Sequence, residues 1–250
     1  MIWARRPLLL AAGLLPLPLP AGARAPAAGA QEWRMRSGTR VVRVYRPAGY
    51  RREGAALVLY VHGFFTDVDR AWRAHQLPEQ FARSGRNALF VVPAARTAAG
   101  EPLPWPALPE LLAVVSAALA EPLPRPLVAA GHSGAYKQIG QWLGQRDLRT
   151  ILLLDGLYGL LPEFRAWVRR PGHRMALVSK DTAPATPEWS RRLSYAVRRP
   201  RCPPDFEQLS PRERSARVLA MGTDSDHFGI ITEGTTLPLL LRWAGIAAVP

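Results

Sequence analysis

The stretch PLVAAGHSGAYKQIG, residues 126–140, joins two elements of different periodicity. Residues 126–132 form a short apolar run, which predicts a strand buried on both faces. Residues 134–145 carry apolar side chains at helical spacing and predict an amphipathic helix. Ser133 lies in the glycine-containing turn between them. Either this serine only shapes the turn, or the turn holds it out as a nucleophile.

Outward from this stretch, apolar runs alternate with helical segments along the chain. Predicted strands span residues 39–45, 56–62, 88–92, 126–132, 150–156, 173–179 and 216–222. Predicted helices span residues 69–85, 110–120, 134–145, 162–170, 187–198 and 237–245. Such alternation predicts an α/β protein whose mostly parallel sheet has helices on both faces. No linker of low complexity divides residues 31–250, so we predict a single domain there.

Residues 1–30 have the features of an export signal. Arg5 and Arg6 form a positive start, an apolar segment follows, and small residues then lead to a cleavage junction after Ala30. The apolar segment is short and rich in proline, which favours a cleaved signal over the alternative of a retained anchor. We therefore expect an exported protein, periplasmic or secreted, that meets the membrane only transiently through this signal. The arginine pair leaves the general and twin-arginine routes both open.

The charge and cysteine content exclude several classes of partner. The formal net charge is +14, and only Lys137 and Lys180 among the basic residues are lysines. No stretch interleaves basic and aromatic side chains as a nucleic-acid groove would, so we expect a basic surface and no nucleic-acid partner. Cys202 is the only cysteine, which rules out an intramolecular disulfide and a thiolate metal cluster. The oligomeric state is left open.

The turn around Ser133 satisfies the steric needs of an exposed nucleophile. A serine between a strand and a helix needs small neighbours, because the helix packs closely against the strand end. The motif G-x-S-x-G states this requirement, and here Gly131 and Ser133 match it while Ala135 replaces the last glycine. Alanine is still small, so the requirement can be met.

A serine hydroxyl needs a base, and the five histidines differ in their places along the chain. His227 follows the last predicted strand in the loop TDSDHFG, at the sheet edge where Ser133 also lies. His75 falls within a predicted helix, and His173 opens a strand at the opposite edge. His227 is therefore the candidate base, and a loop histidine bonded to a neighbouring aspartate is the alternative.

Taken in order, YVHGFF, GHSGAY and SDHFG resemble the α/β-hydrolase superfamily, without indicating a subfamily. The resemblance covers nearly all of residues 31–250. It implies an α/β-hydrolase fold with an eight-stranded, mostly parallel sheet. It also implies a serine–acid–histidine triad that acts through an acyl-enzyme, with Ser133 as nucleophile and His227 as base. Ala135 departs from the pattern.

The resemblance also implies an oxyanion hole near the first buried strand. Its two backbone N–H donors would come from Gly134 and from Phe64 or Phe65. Gly63 lets the backbone approach closely. We place His62, Gly63 and Tyr158 among the substrate-binding residues, with the His62 side chain supporting the loop.

Two aspartates compete for the place of the triad acid. Asp155 ends the strand after the nucleophile strand, and Asp181 follows the next strand, which is the commoner position in the superfamily. Asp155 lies tightly against a buried strand end, where an ionised group requires a partner. We favour Asp155 and keep Asp181 as the alternative.

These features predict an exported serine hydrolase for a small-molecule or acyl substrate, with no metal and no cofactor. We expect a carboxylic ester in preference to an amide. A peptidase or amidase would use the same triad and differ only in its pocket. The alternative from another class is a non-catalytic hydrolase-fold protein that binds a ligand or partner at the cell envelope.

Overall fold

A computed structural model describes residues 28–250. The predicted export signal, residues 1–30, lies almost wholly outside the described residues. Within them the chain forms one sheet flanked by helices. The strands are β1 (Gln31–Ser37), β2 (Arg40–Arg46), β3 (Ala56–Val61), β4 (Ala88–Pro93), β5 (Leu127–His132), β6 (Leu148–Leu154), β7 (Arg174–Ser179), β8 (Ala196–Arg199) and β9 (Val218–Gly222). The helices are α1 (Val68–Ala74), α2 (Leu77–Ser84), α3 (Leu108–Leu119), α4 (Tyr136–Gln141), α5 (Leu161–Val168), α6 (Ala185–Arg191), α7 (Pro211–Arg214), α8 (Gly229–Thr232) and α9 (Thr236–Trp243).

The sheet is parallel except at one edge. Its strand order is β1-β2-β4-β3-β5-β6-β7-β9-β8, and β2 is antiparallel to both of its neighbours, β1 and β4. A two-residue turn at Gly38 and Thr39 connects these two strands. Gly38 has a φ of 59°, a conformation that tight hairpin turns require and that glycine adopts at little cost. The confirmed α/β class therefore comes with an antiparallel hairpin at the sheet edge.

Two apolar cores cover the two faces of the sheet. Trp105, Trp142 and Trp167 are fully buried on one face, against helices α3 to α6. Phe81 and Trp243 are buried on the other face, which carries α1, α2 and α9. The central strands β3 to β6 are buried along almost their whole length because helices cover both faces. This rigid sheet fixes the loops at its edges.

The described residues contain nine strands, one more than the eight expected. Strand β1 was not predicted, because its alternating sequence QEWRMRS adjoins the supposed signal. Strand β8 lies where we predicted a helix over 187–198, which is therefore wrong after Arg191. The predicted helix over 69–85 is two helices, because Gln76 adopts a left-handed conformation with a φ of 47°.

The described residues contain no helix of the length and apolarity needed to span a membrane.

The parallel strands bring distant segments of the chain to one edge. The carboxyl ends of β3, β5, β6, β7 and β9 are adjacent in the sheet. The loops that follow them carry residues 62–65, Ser133, Asp155, residues 180–182 and His227, respectively. All of the sequence-predicted site residues lie in these loops or directly beside them.

Candidate active site

Ser133 occupies a strained turn directly after β5. Its φ is 54°, a left-handed conformation that non-glycine residues rarely adopt. A Cβ added at Gly131 would lie 2.8 Å from the Cβ of Ala135, so glycine at 131 makes room for alanine at 135. A Cβ added at Gly63 would lie 2.8 Å from the Cβ of Ser133. The departure at Ala135 is therefore compatible with a tight strand–helix turn.

Backbone strain is concentrated around this serine. Among residues 28–250, six non-glycine residues have a positive φ, and Phe65, Ser133 and Asp155 are three of them. Each such residue costs on the order of 1 to 3 kcal/mol, which the surrounding structure must offset. Strain of this kind collects at functional sites, so these three loops are the place to look for chemistry.

Asp155 follows β6 and its side chain is completely buried. Oδ1 accepts hydrogen bonds from the Lys180 N–H at 2.9 Å, the Thr182 N–H at 2.9 Å and the Thr182 hydroxyl at 2.7 Å. Oδ2 accepts from the Asp181 N–H at 3.0 Å. Burial by itself would raise the pKa of Asp155, but these donors and His227 hold it well below its usual range. The group is therefore a carboxylate held in one orientation.

His227 is the remaining partner of that carboxylate. Its Nδ1 lies 2.7 Å from Asp155 Oδ2 and donates to it. The Asp181 carboxylate lies farther from the same nitrogen, at 3.7 Å, and its side chain is 57% exposed. The hydrogen bond to Asp155 raises the pKa of His227, although burial opposes the rise. With Nδ1 engaged, Nε2 is the ring nitrogen left for proton exchange.

Tyr158 covers one side of His227. Its hydroxyl lies 3.4 Å from His227 Nδ1, and 47% of the residue is exposed. Burial of the hydroxyl raises the pKa of Tyr158, and the nearby Asp155 carboxylate adds to this effect. The phenol therefore stays protonated and presents a ring and a hydroxyl at the surface of the site.

His132 holds the backbone of the His227 loop through a hydrogen bond, a role that the sequence analysis did not assign. It is 2% exposed, and its Nε2–H donates to the His227 backbone carbonyl at 2.8 Å. The two rings lie 4.6 Å apart between centroids. Burial lowers the pKa of His132 to about 3, so the ring is neutral and its single proton is on Nε2. Only the position of His132 beside Ser133 in sequence offered a signal.

The loop after β3 is fixed by His62. Its ring is buried, its Nδ1–H donates to the Gly63 carbonyl at 2.8 Å, and its Nε2 accepts from the Ala95 N–H at 3.1 Å. Both ring nitrogens are thus engaged by the backbone. No polar atom of the His62 side chain is left for a substrate, which favours the supporting role that the sequence predicts for it.

The two phenylalanines of this loop differ in the availability of their N–H groups. The Phe65 N–H donates to the Thr97 carbonyl at 2.8 Å, while the Phe65 ring is 80% exposed. Within residues 28–250, the Phe64 N–H has no acceptor. Phe64 is therefore the better donor for an oxyanion, and the alternative at Phe65 is incompatible with its existing hydrogen bond.

The Phe64 ring packs directly on Gly134. A Cβ added at Gly134 would lie 2.6 Å from Phe64 Cζ, so only glycine fits under the ring. No side-chain hydrogen bond joins Ser133 to His227 within residues 28–250. The nucleophile and the Asp155–His227 pair thus lie at the same edge without a closed hydrogen-bond chain.

Comparison with solved structures identifies the fold. The chain aligns with an S-formylglutathione hydrolase from Staphylococcus aureus over 92% of its own length and 99% of that chain, with a TM-score of 0.57 and 12% identity. It aligns with a feruloyl esterase module from Clostridium thermocellum, complexed with sinapinate, over 86% of its own length and 89% of that chain. The TM-score is 0.55 and the sequence identity is 10%. The chain has an α/β-hydrolase fold. It also aligns with a substrate-bound, fluorophosphonate-binding serine hydrolase from Staphylococcus aureus, over 88% of its own length and 98% of that chain, with a TM-score of 0.56 and 11% identity.

No protein-family model and no curated protein matches this sequence.

The α/β-hydrolase fold explains the position of each candidate group. Whether these groups could also bind a metal depends on which of their atoms are free to act as ligands. Atoms of Asp155, Asp181 and His227 lie within 4.8 Å of one another, which is a spacing that a cation could bridge. However, five donors already occupy the two oxygens of Asp155, about as many as a carboxylate accepts. The arrangement fits an oriented acid–histidine pair better than a metal centre.

Proposed function

We propose that this protein is a serine hydrolase that cleaves carboxylic esters through an acyl-enzyme. The observation that carries the proposal is the 2.7 Å hydrogen bond between Asp155 and His227, at the same sheet edge as the strained turn of Ser133. A buried carboxylate behind an imidazole, close to a serine on a strained strand–helix turn, is the arrangement that activates a hydroxyl for acyl transfer.

The proposed reaction proceeds in two halves. Ser133 Oγ attacks the ester carbonyl carbon, and His227 Nε2 takes the hydroxyl proton. The Asp155 carboxylate stabilises the imidazolium that forms. The carbonyl oxygen becomes an oxyanion, which accepts hydrogen bonds from the Gly134 and Phe64 N–H groups. The C–O bond then breaks, the leaving alcohol receives the proton from His227, and Ser133 remains acylated.

Water completes the cycle. His227 Nε2 takes a proton from the water as it attacks the acyl carbon, and the same proton then returns to Ser133 Oγ. The products are a carboxylic acid and an alcohol, with no change of oxidation state and no cofactor.

The missing hydrogen bond between Ser133 and His227 is compatible with this chemistry. Rotation about the Cα–Cβ bond of Ser133 swings Oγ without moving the backbone. Catalytic hydrogen bonds are often long before substrate binds and tighten in the complex. The His227 backbone is held by His132, so we expect the motion to occur in the Ser133 side chain and the imidazole ring.

An ester is preferred to an amide because several proteins of the same fold that align with this chain are esterases. We further propose that the protein is exported, on the strength of the basic, apolar and small-residue segments in residues 1–30. Export would place the enzyme in the periplasm or outside the cell, where its substrate must also occur.

A fluorophosphonate probe tests the proposed chemistry directly. Wild-type protein should be labelled and Ser133→Ala should not, with both folded by circular dichroism. Ser215→Ala removes an exposed hydroxyl from the α7 region and serves as the matched control, which should be labelled like wild type. A folded wild type that neither takes up the probe nor hydrolyses a panel of aryl esters would refute the proposal.

One observation favours the non-catalytic alternative. The Phe64 ring lies on Gly134, next to the space where an oxyanion would form. If the ring stays there when a ligand arrives, the protein binds the ligand without hydrolysing it. Ligand binding by a protein that resists the probe would support that alternative.

A further inference from the structure

An open cleft of about 300 Å³ lies beside helix α4, which follows the candidate nucleophile in the chain. One wall is the first turn of α4, which begins three residues after Ser133 and contributes Tyr136 and Lys137. The loop after β4 contributes Arg96, and the loop after β6 contributes Leu160. The cleft therefore opens between the start of α4 and two loops that adjoin the site.

The cleft reaches toward the proposed oxyanion donors. Arg96 also lines a narrow gap behind Phe64 and Gly134, so the two spaces share a wall. On the other side, Tyr136 lies 6.3 Å from Tyr158 between ring centroids, and Tyr158 covers His227. The cleft therefore lies between the surroundings of the proposed oxyanion donors and those of His227.

The cleft carries two positive charges without carboxylate partners. Within residues 28–250, neither Arg96 nor Lys137 has a carboxylate oxygen within 4.0 Å. Arg96 Nη1 donates to the Ala99 carbonyl at 3.2 Å, while its Nε is buried without an acceptor. Lys137 Nζ lies 5.9 Å from the centroid of the Phe64 ring.

The nearest acidic side chain of the Arg96 loop is already engaged. Glu101 accepts hydrogen bonds from the Thr97 N–H, the Thr97 hydroxyl and the Ala98 N–H. The Thr97 and Ala98 donors lower the pKa of Glu101 and the Arg96 charge adds to this effect, so Glu101 fastens its own loop and offsets Arg96 only from a distance. Arg96 and Lys137 are both half-buried, so the cleft holds two partly desolvated positive charges, neither of which forms an ion pair within the described residues.

We propose that this cleft binds a carboxylate at the far end of the acyl chain, so that the preferred substrates are monoesters of dicarboxylic acids. This inference rests on the proposed function and names its substrate class. A planar guanidinium and a mobile ammonium together suit a carboxylate, which accepts several charge-assisted hydrogen bonds. Leu103 and Leu160 supply apolar contacts for the methylene chain.

The test compares two aryl esters of similar size and different charge. Monophenyl adipate carries a terminal carboxylate, and phenyl heptanoate replaces it with a hydrocarbon end. Wild type should prefer the charged ester in kcat/KM. Arg96→Gln and Lys137→Gln should each lower the charged-to-neutral ratio about tenfold, because one charge-assisted contact is lost. The preference should also shrink from ~0.05 to ~0.5 M NaCl as screening increases.

Arg146→Gln is the matched control. Arg146 is exposed at the amino end of β6, the opposite edge of the sheet, and its loss changes the net charge by the same amount. It should leave the ratio unchanged. An unchanged ratio in Arg96→Gln and Lys137→Gln, or an equal fall in Arg146→Gln, would overturn the inference.

Titration of adipate itself separates the cleft from the chemistry. Calorimetry should detect adipate binding to wild type and to Ser133→Ala, and binding should weaken about tenfold in Arg96→Gln. Binding by a protein that does not react with the fluorophosphonate would support the cleft and refute the proposed function. Turnover of phenyl heptanoate, together with no preference for the charged ester and no binding of adipate, would support the proposed function and refute the role of the cleft.

Discussion

The Asp155→Asn substitution isolates the charge of the candidate triad acid. Asparagine tolerates the left-handed conformation that Asp155 adopts, with its φ of 45°, so the backbone should not change. Its Oδ1 can keep the three bonds that the Lys180 and Thr182 donors make to Asp155 Oδ1. The amide nitrogen then replaces Oδ2, opposite the donors of Asp181 and His227.

The structure sets the size of the effect. Two charge-assisted hydrogen bonds are lost, each contributing roughly 1.5 to 3 kcal/mol, so we expect the free energy of unfolding to fall by about 3 to 6 kcal/mol. Catalysis should also suffer. The substituted amide cannot accept from the Nδ1–H of His227 and favours the wrong tautomer, which in such triads lowers kcat roughly 10⁴-fold, or about 5 kcal/mol in the barrier.

Steady-state hydrolysis of phenyl heptanoate, with guanidinium unfolding beside it, measures both quantities. Asp181→Asn is the matched control, because the 57% exposed Asp181 carboxylate lies 3.7 Å from the same nitrogen. Its kcat should fall less than about fivefold, since exposed charges are screened. If Asp155→Asn kept near-wild-type kcat, or if Asp181→Asn were the more damaging change, the assignment of Asp155 would be wrong.

Three further predictions concern the groups around this pair. The kcat/KM should rise with pH as His227 loses its proton, and the midpoint should lie above the ordinary histidine pKa of about 6.5 because Asp155 raises it; a midpoint below that value would contradict the hydrogen bond. His132→Phe keeps a ring but removes the donor to the His227 carbonyl, and kcat should fall about tenfold in the same assay with the protein still folded; wild-type kcat would show that the bond does not position His227. Gly134→Ala should abolish probe labelling because its Cβ would clash with the Phe64 ring at 2.6 Å, while Gly144→Ala, with nothing within 4 Å, should label normally; equal labelling of both would refute this packing.

Much of the fold follows from local sequence pattern. The short apolar runs at β3 to β7 predicted strands in nearly their observed places, because a strand buried on both faces must be apolar throughout. The turn at Ser133 was recognisable because small residues there relieve a steric conflict that any such turn meets. Alternation of strands and helices then predicted the parallel sheet, and the parallel sheet predicted the edge where the site lies.

Edge elements escaped this reasoning for a physical reason. Strand β8 is four residues long with two arginines, so neither its length nor its polarity distinguishes it from a loop or a helix end. The pairing that makes it a strand is with β9, which lies after it in the chain and contributes the apolar surface. The same holds for β1, which becomes a strand through its register with β2.

By itself the sequence determined the α/β-hydrolase architecture, the turn at Ser133 and the two aspartates and one histidine that follow neighbouring strands. Only the tertiary structure decided among them. Asp155 rather than Asp181 bonds to His227, because the loop after β7 turns its N–H groups onto Asp155 and leaves the Asp181 side chain in solvent. Phe65 gives its N–H to Thr97, and the unpaired charges of Arg96 and Lys137 meet in one cleft. These outcomes depend on distances between residues remote in the chain, which no local pattern encodes.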